Sequence, residues 1–306
     1  MDKKIAIIGL GKMGLNIGLN LMDKGIDVFG YTDTPEGIEE AKAQNFKAFS
    51  TLDETISNFK DSVRIFWLMV PSQAVDIVLF GEEEGLISKL KEGDIVIDGG
   101  NSYYKLSTER YIKLKEKGIH FIDCGTSGGV QGARNGACLM IGGEKHIFNS
   151  IKWVFESVAQ ENGFGYVGEA GSGHYVKMIH NAIEYGMLQS IAEGMNLVKN
   201  GKYEDIDLSS LLGVWNHGSI VESYLTKVLE KQLKIYPNLN EIAPIVDDNG
   251  EGAWTIVEAI EQKVPLESVS LALFERYSSK GMDDSANKFI ALMRNGFGGH
   301  KITKEN

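Results

Sequence analysis

A chain of 306 residues is long enough for two domains of ordinary size, each with a sizeable buried core. Its 43% hydrophobic and 24% charged residues exclude a disordered chain. The formal net charge of −11 argues against nucleic acid or an anionic membrane surface as a partner, since both select clustered Lys and Arg; a small anionic substrate in a local basic pocket stays compatible.

The N-terminus MDKKIAIIG has no long apolar run, and Val63 to Val70 is too short to span a bilayer, so a cytoplasmic protein is expected. From Lys4 to about Val167, short β-rich runs alternate with amphipathic helical stretches, the signature of a parallel sheet with crossover helices. The expected strands are KIAIIG, DVFGY, VRIFWLMV, DIVIDG and HFIDCG, followed less clearly by CLMIGG and GFGYVG. From about Gly171 the pattern changes to long helical periodicity without a convincing strand. The fold class is therefore α/β: a Rossmann dinucleotide-binding domain over 1–170, an all-α domain over 171–295 and a short Gly-rich tail over 296–306. Cys124 and Cys138 cannot build a disulfide framework and lack metal-ligand spacing; both are expected at bland apolar positions in a reducing compartment, with no metal site.

The motifs follow the same order. GLGKMG (Gly9, Leu10, Gly11, Lys12, Met13, Gly14) comes after the first strand and opens a helix. There Gly9 permits the tight turn, Gly11 lets backbone approach a pyrophosphate, and Gly14 lets the helix pack closely. Val70, at the end of VRIFWLMV, is a further cofactor-binding candidate. The second strand ends near Thr32 and Asp33, and Asp33 lies 19 residues past Gly14, where an acidic ribose ligand is expected at about 20. A carboxylate there accepts from ribose hydroxyls and repels a 2′-phosphate, which favours NAD while leaving NADP possible; the alternative is a solvated loop aspartate. DGGNS (Asp98 to Ser102) and GTSGG (Gly125 to Gly129) come at C-terminal strand ends, where open α/β sheets bind ligands. Asn101 and Ser127 can orient a hydroxylated substrate and the nicotinamide carboxamide, unless these are two ordinary polar turns.

The strongest local pattern is GHYVKMIHNAIEYG (Gly173 to Gly186). On a helix Lys177, Asn181 and Glu184 stand at i, i+4 and i+7 and share one face, with His180 beside them. An amine and a carboxyl on one face suit proton transfer at two points of one substrate. The competing reading is a lysine to glutamate helix pair with a satisfied core histidine. Arg276 and Arg294, taken singly, read as surface cations.

The combination GLGKMG, DGGNS, SGG, GHYVKMIHNAIEYG and RNGFGGH resembles 6-phosphogluconate dehydrogenase, in its short bacterial form, over nearly the whole chain. The resemblance implies oxidation of 6-phosphogluconate at C3 with reduction of NAD(P)+, loss of CO2 and protonation of the enediol to ribulose 5-phosphate, without a metal. It makes Lys177 the general base, which must be partly neutral, and Glu184 the acid that protonates C1 of the enediol. Asn101, Ser127, Gly128, Gly129, His180 and Asn181 would hold the hydroxyls and carboxylate, and Tyr185 and Arg276 the phosphate. Arg294 and His300 match residues that the family inserts into the partner subunit's site, so a homo-oligomer, at least a dimer, is implied. Two departures stand out. Long forms carry a phosphate-binding lysine where this chain has Asn249 and a threonine where it has Glu251, and NADP-specific members place an Asn-Arg pair where it has Thr32 and Asp33.

Two rival readings remain at this level. Another β-hydroxyacid dehydrogenase, of the 3-hydroxyisobutyrate or tartronate semialdehyde type, shares the glycines and Lys177 but needs no second acid at Glu184. A non-catalytic NAD-binding protein shares the fold, because fold alone does not fix function.

Overall fold

The computed structural model describes residues 3–59, 63–82, 85–282, 284–298 and 301–303. The chain forms two compact units, 1–178 and 179–306. The first is built on an eight-stranded sheet: β1 Lys4–Ile8, β2 Asp27–Tyr31, β3 Lys47–Phe49, β4 Ile65–Leu68, β5 Ile95–Asp98, β6 His120–Ser127, β7 Ala137–Gly143 and β8 Ala159–Gly168. The helices between them are α1 Lys12–Asp23, α2 Pro35–Ala43, α3 Leu52–Ser57, α4 Ser72–Phe80, α5 Tyr104–Lys115, α6 Gly129–Asn135, α7 Lys145–Ser150 and α8 Lys152–Val158.

Strand order is β3-β2-β1-β4-β5-β6-β7-β8. The chain leaves β1 toward β2 and β3, then crosses back to β4 on the other side of β1, so the switch point lies between the carboxyl ends of β1 and β4. Alternation along β1 shows why both faces must be covered. Ile5 and Ile7 enter one apolar core and Ala6 and Ile8 the other, all fully buried.

Two points differ from the sequence expectation of a parallel sheet of seven strands. β7 runs antiparallel to β6, with Cys124 opposite Ile141 and Ser127 opposite Cys138. The intervening α6 has only seven residues, too short for the crossover that a parallel return requires. β3 was not anticipated, because KAF is too short to show a period. Cys124 is buried as expected, and burial pushes its thiol well up from the ordinary value. Cys138 is exposed, because alternation along β7 turns it away from the core that Ala137 and Leu139 enter.

Beyond β8 the elements are helical: α9 Ser172–Lys199, α10 Leu208–Trp215, α11 Tyr224–Ile235, α12 Glu251–Gln262, α13 Glu267–Ser278 and α14 Asp284–Gly298. Small apolar clusters hold the second unit together. Tyr185, Ala272 and Leu273 form one, and Met195, Leu212 and Leu233 another. α14 continues through Gly298, so the first residues of the expected tail are helical, since Gly296 and Gly298 do not offset the apolar periodicity before them. Among the described residues no helix is long and apolar enough to cross a membrane.

Candidate active site

The glycine turn lies at the switch point. Gly9 has φ +101°, and a Cβ there would come 2.7 Å from both the Met69 carbonyl oxygen and Val70 Cγ1. A Cβ on Gly14 would lie 2.0 Å from the Gly9 carbonyl oxygen, so α1 can start this close to the turn only with glycine. Gly11 differs: it is exposed, precedes the first helical residue Lys12, and nothing lies within 4 Å of where its Cβ would be. Open backbone at a helix N-terminus is the cradle a pyrophosphate needs, so the residues fit a dinucleotide. Val70 borders this turn, whereas the Leu10 side chain is buried against Gly30, which leaves only its backbone facing outward. After β2, Thr32 is buried with its hydroxyl 3.2 Å from that of Thr34, which caps α2, while Asp33 is exposed between them.

The DGGNS turn is braced from below. Asp98 is fully buried; it accepts from Ser102 Oγ at 2.7 Å, from the Gly100 N–H at 3.2 Å and from Arg110 Nη1 at 3.2 Å. Arg110 is itself buried and donates to both carboxylate oxygens of Asp76. The Arg110 hydrogen bonds hold Asp76 below the usual carboxylate value. This buried charge network fixes the backbone on either side of Asn101, which is exposed. At the end of β6, Ser127 is half-buried, and Gly128 and Gly129 follow with φ +115° and +59°.

The start of α9 is held by buried side chains of the first unit. Asp123 on β6 accepts the N–H groups of Gly171 at 2.7 Å and His174 at 2.9 Å, satisfying helix-terminal donors with a buried carboxylate. Burial raises its pKa against the opposing effect of those bonds. His174 Nδ1 stands 2.7 Å from Ser107 Oγ on α5. Lys177, only 5% exposed, follows one turn later, seated over Gly125, where a Cβ would come 2.4 Å from Lys177 Cβ.

In the second unit α9 continues through His180, Asn181, Glu184 and Tyr185. Asn181 and Tyr185 are buried and Glu184 is half-buried. Helical rise separates Lys177 and Glu184 by about 10 Å along the axis. Asn181 donates through Nδ2 to Glu251 Oε2, and its Oδ1 lies 2.9 Å from His180 Nδ1. Glu251, itself buried, also accepts from Asn249 Nδ2 at 2.7 Å. The Tyr185 hydroxyl donates to Asn249 Oδ1 at 2.8 Å and accepts from the Asn249 N–H at 3.2 Å. Arg276 lies over the Tyr185 ring, 3.4 Å from its centroid, and donates to the Asp247 carbonyl at 2.8 Å. Burial raises the Tyr185 pKa.

The structure thus ties Asn249 and Glu251 to the polar stripe of α9. In the sequence they stand out only as departures from the long forms, and their distance along the chain from Asn181 hides the link. Arg294 is exposed on α14; His300 lies outside the described residues. His120, Glu144 and His146 bring ligand atoms within 4.8 Å of one another, but at the start of β6, the edge opposite the site, and Lys115 already contacts Glu144 at 3.3 Å.

A glycine turn at a sheet switch point, with open backbone at the following helix, defines a dinucleotide-binding protein. The comparisons then narrow the class. Residues 4–168 match the NAD binding domain of 6-phosphogluconate dehydrogenase and residues 173–303 its C-terminal domain. The chain is 42% identical over 99% of its length to a Bacillus subtilis (strain 168) protein, covered in full, that is provisionally named a 6-phosphogluconate dehydrogenase. It is 34% identical to the NAD(+)-dependent, decarboxylating 6-phosphogluconate dehydrogenase of Haloferax volcanii, with 99% of each chain covered. The solved 6-phosphogluconate dehydrogenase of Plasmodium falciparum, studied with NADP+ and with 6-phosphogluconate, superposes with a TM-score of 0.81 at 32% identity. That match covers 99% of this chain and 66% of that longer one. The chain belongs to the 6-phosphogluconate dehydrogenase family.

Proposed function

We propose that this protein oxidises 6-phosphogluconate at C3 and decarboxylates the product to ribulose 5-phosphate, with NAD+ preferred over NADP+. One observation carries the assignment of roles: a single continuous helix bears Lys177 and Asn181, both nearly buried, and Glu184 on one stripe. Bound nicotinamide supplies the hydride acceptor for C3. Lys177 Nζ takes the C3 hydroxyl proton as the hydride leaves and returns it to the C3 oxygen as the C1 carboxylate departs as CO2. Glu184 then gives its proton to C1 of the enediol. The separation along α9 suits one base and one acid acting at different carbons of an extended substrate. Asn101, Ser127, Gly128, Gly129, His180 and Asn181 are assigned to the hydroxyls and carboxylate. Arg276, held over Tyr185, is assigned to the phosphate.

Exposed Asp33 after β2 supports the NAD+ preference. The proposed active form is a homo-oligomer with Arg294 and His300 reaching a partner's site. Its support is α14, where Phe289, Ile290, Leu292 and Met293 are each at least half exposed, an apolar stripe of the kind that marks an interface. The two free cysteines suit a cytoplasmic setting. The proposed domain limits are 1–170, 171–295 and 296–306.

The test follows reduced nicotinamide and CO2 with 6-phosphogluconate, gluconate and 3-hydroxyisobutyrate, each with NAD+ or NADP+. NADH and CO2 from 6-phosphogluconate alone are expected. Activity confined to an unphosphorylated acid would refute the substrate, and full turnover by Lys177→Ala or Glu184→Gln would refute the roles.

A further inference from the structure

Resting on the reading that His180 and Asn181 face the substrate, we infer that Glu251 is a positioning residue that fixes the Asn181 amide and, through it, the tautomer of His180. The argument starts from groups that can only donate. The Glu251 backbone N–H donates to Asn249 Oδ1 at 3.2 Å. The Tyr185 hydroxyl accepts from the Asn249 N–H, so its own proton points to the same Oδ1. Two independent donors therefore make that atom the amide oxygen, and Asn249 must present its NH2 to Glu251 Oε2.

Glu251 is the first residue of α12, a twelve-residue helix, and its Oε2 already accepts from Asn249. A carboxylate has no proton to give, so Asn181 must also turn its Nδ2 toward Oε2. That rotation leaves Asn181 Oδ1 facing His180 Nδ1 at 2.9 Å. An amide oxygen has no proton either, so Nδ1 must carry one, and in the neutral ring Nε2 holds the lone pair. The chain Glu251, Asn181, His180 presents an acceptor at Nε2, suited to the hydroxyl of a polyhydroxy acid. A hydroxyl at 251, which can both donate and accept, imposes no such direction: the amide can flip and the tautomer reverse.

The test is the 15N spectrum of the imidazole rings in histidine-labelled protein at pH 8, without substrate or cofactor, with His180 assigned from its loss in His180→Gln. The Nδ1–H tautomer is expected in the unmodified protein and in Glu251→Gln, where Asn249 holds the amide oxygen toward Asn181, with a shift toward the Nε2–H form in Glu251→Thr, whose hydroxyl can donate as well as accept. In the same variant KM for the sugar acid should rise about tenfold while KM for the nicotinamide cofactor stays within twofold, the loss of one well-directed hydrogen bond. An Nε2–H ring in the unmodified protein would overturn the proposal even if no variant folds, as would ring shifts in Glu251→Thr identical to the parent. Because the ring spectrum needs no turnover, it stands or falls separately from the proposed reaction.

Discussion

Gly125→Ala puts the placement of Lys177 under direct strain. The new Cβ would come 2.4 Å from Lys177 Cβ and 2.7 Å from the Gly173 carbonyl oxygen, where ordinary contact begins at 3.4 Å. Neither obstacle is the loose end of a side chain, so the first turns of α9 must move away from β6 by about 1 Å. Overpacking of this kind costs about 1–3 kcal/mol of stability. A catalytic group displaced by that distance loses roughly 10²-fold in rate, or about 2.7 kcal/mol of barrier. The assays are thermal unfolding and kcat/KM with 6-phosphogluconate, with Gly165→Ala as the control. Nothing lies within 4 Å of a Cβ on Gly165, so that variant should stay within about 0.5 kcal/mol of the parent. A folded Gly125→Ala protein with kcat/KM within twofold of the parent would refute the claim that this contact seats Lys177 as the proposed base.

Asp33→Arg should weaken use of NAD+ and improve use of NADP+, read as the ratio of the two kcat/KM values; a parent enzyme that already prefers NADP+ would remove the basis for it. Asp76 is held below its ordinary pKa by Arg110, so its stabilising contribution is present above the unfolded value of 3.8 and is lost as pH falls through the lowered folded value. Asp76→Asn should therefore unfold at lower urea than the parent at pH 7, with the gap closing in acid below that window; a gap independent of pH would contradict the ion pair. Alkylation followed by mass spectrometry should label exposed Cys138 within minutes in native protein and spare Cys124, whose burial raises its thiol pKa. Equal labelling of both would contradict the seating of β6.

What the sequence determined by itself is whatever depends on local spacing. The period of the apolar runs gave the alternating first unit and the helical second one, and the glycine pattern marked the dinucleotide turn because Gly9 and Gly14 answer close contacts there while Gly11 leaves the backbone open. Lys177, Asn181 and Glu184 were visible as one stripe because a helix converts spacing into a face. The tertiary structure decided what depends on distant pairs. The antiparallel turn of β7, and with it the exposure of Cys138, follows from a register between strands that no local period encodes. Asp123 reads in the sequence as one more strand residue, yet it caps α9 because β6 ends beside that helix. Asn249 and Glu251 meet Tyr185 and Asn181 only because α12 packs on α9 within the second unit, and a hydrogen bond across 70 residues leaves no spacing to read.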